Sequence, residues 1–277
     1  MTRYLKISII CGSKIQELLI AELGLADFDS FQQFENSLDA FIDENRLNEK
    51  KLRNVLKRYD LQHSYRISGL EEINWNEAWE KNFDPVLIED QVQVRASFHP
   101  KREEIKYDII INPKMSFGTG HHETTCLMIA EQLKTDHRKK RILDVGAGTG
   151  ILSIMAYKLG ATSIVSTDVD DWCIENCREN FELNKLKNFQ VLHGKIENLT
   201  LDGGFDVILA NINKNVLIKE IPTYSNLLFK NGILLLSGFY AQDIKDLQEI
   251  TSKYDLELIG SDQKNDWARL SFCKIST

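Results

Sequence analysis

Three glycines at alternating positions, Gly146, Gly148 and Gly150, follow an apolar strand-like run and precede a helical pattern. Glycine allows positive φ and a close approach of the backbone to a ligand, and the first turn of the helix leaves N–H groups unpaired. Asp168 follows the next predicted strand, residues 163–167. Ligands of open parallel sheets collect at such strand ends, where a carboxylate can accept both hydroxyls of a ribose. These residues therefore predict a site for an adenosine-containing ligand.

The spacing of the glycines tests whether that ligand is a dinucleotide. A dinucleotide turn places its third glycine three residues after its second, whereas the interval here is two and Ile151 occupies the expected place. The spacing therefore disfavours NAD, although Asp168 alone does not, because NAD also carries a ribose diol. A purely structural interpretation stays open, in which the glycines close a turn and Asp168 caps a helix over Val169–Leu183.

The elements that would position this site alternate between helix and strand from Glu123 onward, which predicts a mostly parallel sheet with helices on both faces. The N-terminal part has a different order: strand, helix, two strands, helix, strand. That order predicts two helices on one face of a four-stranded antiparallel sheet, the ferredoxin-like arrangement. The predicted bounds are Tyr4–Ile10, Ser13–Leu23, Phe28–Phe34, Leu38–Ile42, Asn48–Tyr59 and Ser64–Ile67. The predicted fold class is doubly wound α/β with a smaller N-terminal α+β domain.

Three regions follow from this change of pattern. Residues 1–70 are predicted to form a ferredoxin-like recognition domain, residues 71–112 a linker, and residues 113–277 the ligand-binding domain. The linker would contain a helix that carries Trp75 and Trp79 on one face, for which packing is the favoured interpretation. Two strands, near 92–96 and 107–111, would complete the linker.

Composition indicates an ordinary globular protein. The 277 residues are 43% hydrophobic and 27% charged, enough for one main core and a companion domain. No stretch approaches the roughly 18 apolar residues of a membrane span, and the first residues alternate rather than resembling a signal peptide. An odd number of scattered cysteines does not fit a disulfide framework: Cys11, Cys126, Cys173, Cys177 and Cys273. We therefore expect a cytoplasmic protein without membrane association.

The net charge of −7 argues against direct nucleic-acid readout, which depends on clustered Lys and Arg that neutralise phosphates. An acidic surface would instead favour a basic partner, and the alternative is that mild acidity only aids solubility. We expect the protein to be a monomer.

Several motifs together resemble one enzyme family. The run LDVGAGTG at 143–150, followed by Thr167 and Asp168, resembles class I S-adenosylmethionine-dependent methyltransferases. The segment NPKMSFGTGHHETT at 112–125 is similar to the signature of the ribosomal protein methyltransferases that modify large-subunit protein eleven. NINKN at 211–215, WNEAWEKNFDP at 75–85 and LSG at 236–238 also fit. The family usually has Asp-Pro-Gly where this sequence has Asn112, Pro113 and Lys114, a change that could alter the mobility of the loop.

The resemblance implies a seven-stranded sheet, S-adenosylmethionine as cofactor, and repeated methylation of the N-terminal α-amine and lysine side chains of protein eleven. It matches Thr125, Gly146, Asp168 and Asn211 to the family's cofactor-binding residues, with a loop over the ligand at 117–120. The predicted cofactor-binding residues are accordingly Phe117, Gly118, Thr125, Gly146, Gly148, Asp168 and Asn211.

Asn211 is also the predicted catalytic residue, at the end of the fourth strand beside the expected methyl group. An amine attacks only when neutral, which costs lysine roughly 4 kcal/mol and an α-amine about half a kcal/mol near neutral pH. We hypothesise that Asn211 orients the neutral amine. Enzymes that methylate planar bases or amides carry two prolines and a tyrosine after the corresponding residue, and these are missing here, so a flexible aliphatic amine is favoured.

Other candidate signals have structural interpretations. Adjacent His121 and His122 do not converge on one metal ion, so we expect a loop or capping role and no metal site. Cys173 and Cys177 share a helix face in a core pattern, and the basic run at 138–141 is typical of a solvated surface. Trp267 is expected to pack in the final strand, with a lining role above the cofactor as the alternative.

Two other functions remain open from the sequence. The first is a small-molecule amine methyltransferase of the same fold, which would not depend on the N-terminal domain for substrate recognition. The second is a non-catalytic ribosome-binding module, which calorimetry with S-adenosylmethionine would distinguish.

Overall fold

The computed structural model of the protein describes residues 4–69, 83–112, 114, 116–201 and 203–276. The chain forms two compact units, Met1–Ala78 and Trp79–Thr277. The predicted linker helix with Trp75 and Trp79 lies outside the described residues. Within the described helices, none combines the length and apolar character that a membrane span requires.

The first unit has the predicted ferredoxin-like fold. Its elements are β1 (Tyr4–Ile10), α1 (Ser13–Gly24), β2 (Ser30–Phe34), β3 (Ser37–Asp43), α2 (Glu49–Lys57) and β4 (Tyr65–Gly69). The four strands are antiparallel in the order β2-β3-β1-β4. Alternate residues of β1 and β3, such as Ile7 and Ala40, are fully buried in the core that α1 and α2 help to form.

Two predicted boundaries in this unit shift for local reasons. The second helix begins at Glu49 because Asn48 is its N-cap, whose side chain accepts a hydrogen bond from Lys51 N–H. The strand predicted from Phe28 begins at Ser30, since Asp27 has a φ of +72° and Phe28 N–H still donates a hydrogen bond to Leu23 C=O in the preceding helix.

A three-stranded sheet begins the described part of the second unit: β5 (Val86–Ile88), β6 (Val92–Arg95) and β7 (Tyr107–Ile110). The sequence predicted β6 and β7 but not β5. The β5–β6 pair is antiparallel and the β6–β7 pair is parallel. Apolar side chains of this sheet, including Val94 and Ile109, belong to the same buried cluster as Ile142 and Met155. Residues 83–111 therefore share the core of the second unit.

The large sheet of the second unit confirms the predicted doubly wound fold. Its strands are β8 (Arg141–Val145), β9 (Ser163–Asp168), β10 (Phe189–His193), β11 (Phe205–Asn211), β12 (Leu228–Tyr240), β13 (Leu256–Lys264) and β14 (Trp267–Lys274). Their order is β10-β9-β8-β11-β12-β14-β13, with β8 to β12 parallel and β14 antiparallel to both neighbours. The seven-stranded, mostly parallel sheet is as expected.

Within the described part of the chain, five helices cover this sheet: α3 (Glu123–Gln132), α4 (Ile151–Lys158), α5 (Asp171–Leu183), α6 (Lys214–Leu227) and α7 (Ile244–Thr251). Central strands read as continuous apolar runs because both of their faces are buried, and Ile208 and Leu209 are fully inaccessible on opposite sides. Cys173 and Cys177 are buried on α5 as predicted, and all five cysteines are free.

Candidate functional site

A cavity of about 910 Å³ opens at the carboxyl ends of the parallel strands. Each of these strands contributes residues at its end or immediately after it, which is where open α/β sheets bind ligands. The contributing residues include Gly146 and Gly148 after β8, Asp168 of β9, Gly194 to Glu197 after β10, Asn211 of β11 and Gly238 of β12.

The glycine turn has the backbone conformation that the sequence predicted. Gly146, Gly148 and Gly150 have φ values of +69°, +55° and +77°. A side chain on Gly148 would clash with the carbonyl oxygen of Phe117, and one on Gly146 would clash with Ile212. Larger residues would therefore be strained and would also block close approach of the backbone to a ligand.

Asp168 is the last residue of β9, and its carboxylate reaches back to the glycine turn. Its Oδ2 accepts a hydrogen bond from Gly148 N–H at 2.9 Å, and its Oδ1 accepts one from Asp170 N–H at 3.2 Å. Each carboxylate oxygen can accept a second hydrogen bond, so capacity for ribose hydroxyls remains. The helix predicted from Val169 begins at Asp171 with Asp170 as N-cap, so the interpretation of Asp168 as a helix cap is wrong.

The loop at 116–120 lies against the glycine turn. Phe117 C=O accepts a hydrogen bond from Thr149 N–H at 3.0 Å, and Gly118 C=O accepts one from the Thr149 hydroxyl at 2.6 Å. The Phe117 ring is 53% exposed and lines the cavity, whereas Gly118 lies behind it. The contacts of Gly118 therefore support the loop rather than the cavity wall.

Two buried asparagines of α5 hold the chain that leads into this loop. Asn184 accepts a hydrogen bond from Ile110 N–H at 3.0 Å. Asn180 accepts one from Asn112 N–H at 2.6 Å and donates to Thr149 C=O at 2.8 Å. Asn180 thus connects the segment before the loop to the glycine turn, a contact that sequence periodicity could not indicate.

Thr125 and Asn211 are buried polar residues near the cavity. Thr125 is fully inaccessible in the first turn of α3 and is not in the cavity wall, to which the neighbouring Thr124 contributes. Asn211 ends β11, is 9% exposed and lines the cavity. Among the described residues, neither Thr125 Oγ1 nor Asn211 Oδ1 has a hydrogen-bond partner. Because buried polar atoms are normally paired, Asn211 Oδ1 is a candidate ligand contact.

Five of the seven residues that the sequence assigned to cofactor binding therefore line one cavity, and two lie just behind it. The five are Phe117, Gly146, Gly148, Asp168 and Asn211, and the two are Gly118 and Thr125. Sequence reasoning missed Thr124, Trp172, Ile212 and the segment from Gly194 to Glu197, which also line it.

His122 has the predicted capping role and a second set of contacts. It is the N-cap of α3, where its Nδ1 accepts a hydrogen bond from Thr124 N–H at 3.3 Å. Its ring lies 5.2 Å from the ring of Phe117 and 4.6 Å from that of Trp267, measured between centroids. Trp267 lines the cavity as well.

One group of described residues could hold a metal ion by distance alone. The ligand atoms of Asp168, Asp170 and Cys173 lie within 4.8 Å of one another. Both oxygens of Asp168 already accept backbone hydrogen bonds, so the arrangement is explained without a metal ion.

Asp144 lies fully buried beneath the glycine turn. Ser153 donates to its Oδ2 from the backbone N–H at 3.1 Å and from the hydroxyl at 2.7 Å. Burial raises the pKa of Asp144 from its ordinary value of 3.8 to about 7, and the charge of Asp168 adds to the rise. The hydrogen bonds from Ser153 act in the opposite direction.

This shift predicts a pH dependence of stability. Between about pH 4 and pH 7, Asp144 is protonated in the folded state but ionised in the unfolded state. Because the folded state binds more protons in this range, the free energy of unfolding falls as the pH rises from about 4 to about 7. In Asp144→Asn, we expect the contribution of this residue to the pH dependence of the free energy of unfolding to disappear. That contribution has a slope of up to about 1.4 kcal/mol per pH unit. Urea unfolding at several pH values would measure the free energy of unfolding of both proteins. If it changed equally with pH in the wild type and in Asp144→Asn, the raised pKa of Asp144 would be contradicted.

The sequence is similar to that of curated proteins along most of its length. A family described as "Ribosomal protein L11 methyltransferase (PrmA)" matches residues 14–274. A Porphyromonas gingivalis protein named ribosomal protein L11 methyltransferase is 45% identical over 262 residues, which cover 92% of this chain and 90% of that protein. A Bacteroides fragilis protein of the same name is 39% identical over 266 residues, covering 95% of each chain.

A solved structure shares the fold. The crystal structure of ribosomal protein L11 methylase from Lactobacillus delbrueckii subsp. bulgaricus superposes with a TM-score of 0.65 at 23% identity. The match covers 70% of this chain and all of that one.

Proposed function

Because the chain belongs to the ribosomal protein L11 methyltransferase family, a family of S-adenosylmethionine-dependent enzymes, we propose that it methylates amine nitrogens of ribosomal protein L11. The observation that carries the proposal is the cavity in which a glycine turn, a carboxylate and an unpaired buried amide meet. The acceptors would be the N-terminal α-amine and lysine side chains.

The residues of the cavity fit the cofactor. Gly146 and Gly148 would allow its close approach to the backbone, and Asp168 would accept the ribose hydroxyls. Phe117 would cover it, while Gly118 and Thr125 would support the wall from behind. When bound, S-adenosylmethionine supplies a methyl group made electrophilic by its sulfonium, so the protein mainly has to align the acceptor.

Asn211 would orient the acceptor amine. A neutral primary amine can donate an N–H to Asn211 Oδ1, which has no partner among the described residues, and this leaves the nitrogen lone pair free for attack. Lysine must first lose a proton at a cost of roughly 4 kcal/mol near neutral pH. Desolvation in the cavity would lower that cost by disfavouring the charged form.

The remaining assignments are also proposals. Residues 1–70 would recognise the substrate, and 113–277 would carry the methyltransferase site. Of the segment 71–112 that the sequence assigned to a linker, residues 83–111 instead share the core of the second unit. A cytoplasmic monomer without nucleic-acid readout is supported by the negative net charge and by the free cysteines.

Mass spectrometry of ribosomal proteins from cells with and without this chain tests the proposal. We expect L11 from cells lacking it to be lighter by whole methyl increments, and the wild-type chain to restore the mass. A matched Asp168→Ala chain should not restore it. An unchanged L11 mass in the deletion strain would overturn the proposed substrate.

A further inference from the structure

The cavity has one end that the proposed cofactor-binding residues leave free. Gly148 follows β8 and Asp168 ends β9, on one side of the central strand β11. On the other side lie Gly238 of β12 and Trp267 of β14, with Asn211 between the two ends. Neighbouring strands are about 4.8 Å apart, so β14 lies about 10 Å beyond β11. The acceptor would therefore approach Asn211 from the β12–β14 side.

Four rings form a continuous row that begins at Phe117, in the loop over the proposed cofactor site, and extends to Trp267 and Tyr240 at the β12–β14 end. Phe117, His122, Trp267 and Tyr240, here called the aromatic row, have successive centroid distances of 5.2, 4.6 and 4.3 Å. Phe117, His122 and Trp267 line the cavity together with Asn211, and both ends of the row are exposed, Phe117 at 53% and Tyr240 at 46%. The row therefore gives the cavity that holds Asn211 an aromatic surface open to solvent.

The rings of the row are held in place by the fold. His122 is fixed as the N-cap of α3. Tyr240 and Trp267 are cross-strand partners in the antiparallel β12–β14 pair, and their rings stack at 29°. Tyr240 N–H also donates to the carboxylate of Asp243 at 3.3 Å. The aromatic faces are therefore positioned before any ligand arrives.

The charges of the cavity are compatible with a cation at this end. Among its described lining residues, the lysines are Lys195 and Lys219 and there is no arginine. Lys195 follows β10, on the far side of the cofactor-binding strands, and Lys219 lies on the second turn of α6. Neither belongs to the aromatic row, and Lys264, the β13 cross-strand partner of Trp267, is not among the described lining residues of the cavity.

We propose that the aromatic row is the subsite for the aliphatic amine arm of the substrate, and that Trp267 stabilises the positive charge that the acceptor nitrogen acquires. This inference rests on the proposed function. The nitrogen lone pair forms the new N–C bond while the S–C bond breaks, so positive charge passes from sulfur to nitrogen and a neutral thioether departs. After the first and second transfers the ammonium product loses one proton to water, which frees the lone pair for the next transfer, whereas the quaternary ammonium formed by the third transfer has no N–H proton and keeps its charge.

Aromatic faces attract such a cation, and an attraction that grows as charge develops on nitrogen lowers the barrier rather than only aiding binding. The effect should increase with each methyl group already transferred. A neutral dimethylated amine has no N–H left to donate to Asn211. Its orientation would therefore depend on contacts with the rings. Trp267 should therefore matter most for transfer to an already dimethylated nitrogen.

A binding experiment tests the subsite without turnover. The methyl proton signal of tetramethylammonium is followed by NMR as the full-length protein with S-adenosylhomocysteine is added. We expect the affinity to fall about tenfold in Trp267→Leu and to change less than about threefold in Trp267→Phe, which keeps an aromatic face. Calorimetry with S-adenosylhomocysteine should give the same affinity for all three proteins. Absence of binding to the wild type, or equal binding by the Leu variant, would overturn the proposal.

A time course with purified L11 separates this inference from the proposed function. With wild-type enzyme, L11 that stays unmethylated would refute the proposed function itself. If L11 is methylated, we expect Trp267→Leu to slow transfer to a dimethylated nitrogen at least tenfold and to accumulate the dimethylated product, whereas Trp267→Phe should resemble the wild type. Identical product distributions for Leu and wild-type enzymes would refute the role of Trp267 while leaving the proposed function intact.

Discussion

Asp168→Ala is expected to weaken the binding of S-adenosylhomocysteine about 100-fold. Hydrogen bonds to a charged group contribute about 1.5–3 kcal/mol each, and the carboxylate at the end of β9 is placed to accept from the ribose while it also holds the glycine turn through Gly148 N–H. Isothermal titration calorimetry on the full-length protein would measure the change.

Asp168→Asn is the matched control. It keeps the shape and one acceptor oxygen but loses the charge, so we expect an intermediate loss of affinity. Comparable melting temperatures of the three proteins would show that the fold survives. Unchanged affinity in the Ala variant would remove the central support for a nucleoside at this strand end.

Asn211→Ala is expected to lower kcat about 100-fold, a loss similar to that caused by removing one well-placed polar group from an active site. Asn211 is buried and lines the cavity, and its Oδ1 is unpaired among the described residues, so truncation of the side chain removes the group that would orient the amine. Turnover with saturating L11 and cofactor would give kcat, and calorimetry would give cofactor affinity separately.

Asn211→Asp distinguishes orientation from simple packing. It keeps the size and an acceptor oxygen, but its negative charge favours the protonated, unreactive amine. We therefore expect a pH–rate profile displaced to higher pH relative to the wild type. Full turnover with normal cofactor affinity in Asn211→Ala would end the proposed role.

Features set by local pattern were predictable from the sequence. Alternation of apolar residues identified β1 with its observed bounds, and the apolar run before Asn211 placed that residue at a strand end. The glycine turn was predictable because its geometry requires glycine at fixed positions. The ends of helices were less accurate, as at α5, where the predicted start at Val169 precedes the observed N-cap Asp170, which is still extended.

Features that depend on strand order were not predictable. His122 is the N-cap of α3 and Trp267 begins the last strand, and periodicity along either element does not indicate that their rings come together. Periodicity describes neighbours along one element, so it could not reveal the aromatic row. The same holds for Asn180, which joins two loops through one side chain.

The β5–β7 sheet sets a practical limit on how the protein can be shortened. Because Val94 and Ile109 lie in one buried cluster with Ile142 and Met155, a fragment that began at residue 113 would leave the apolar side chains around β8 and α4 facing water. Such a fragment would tend to self-associate. A catalytic fragment intended for crystallisation or for isotope labelling should therefore begin ahead of Phe83.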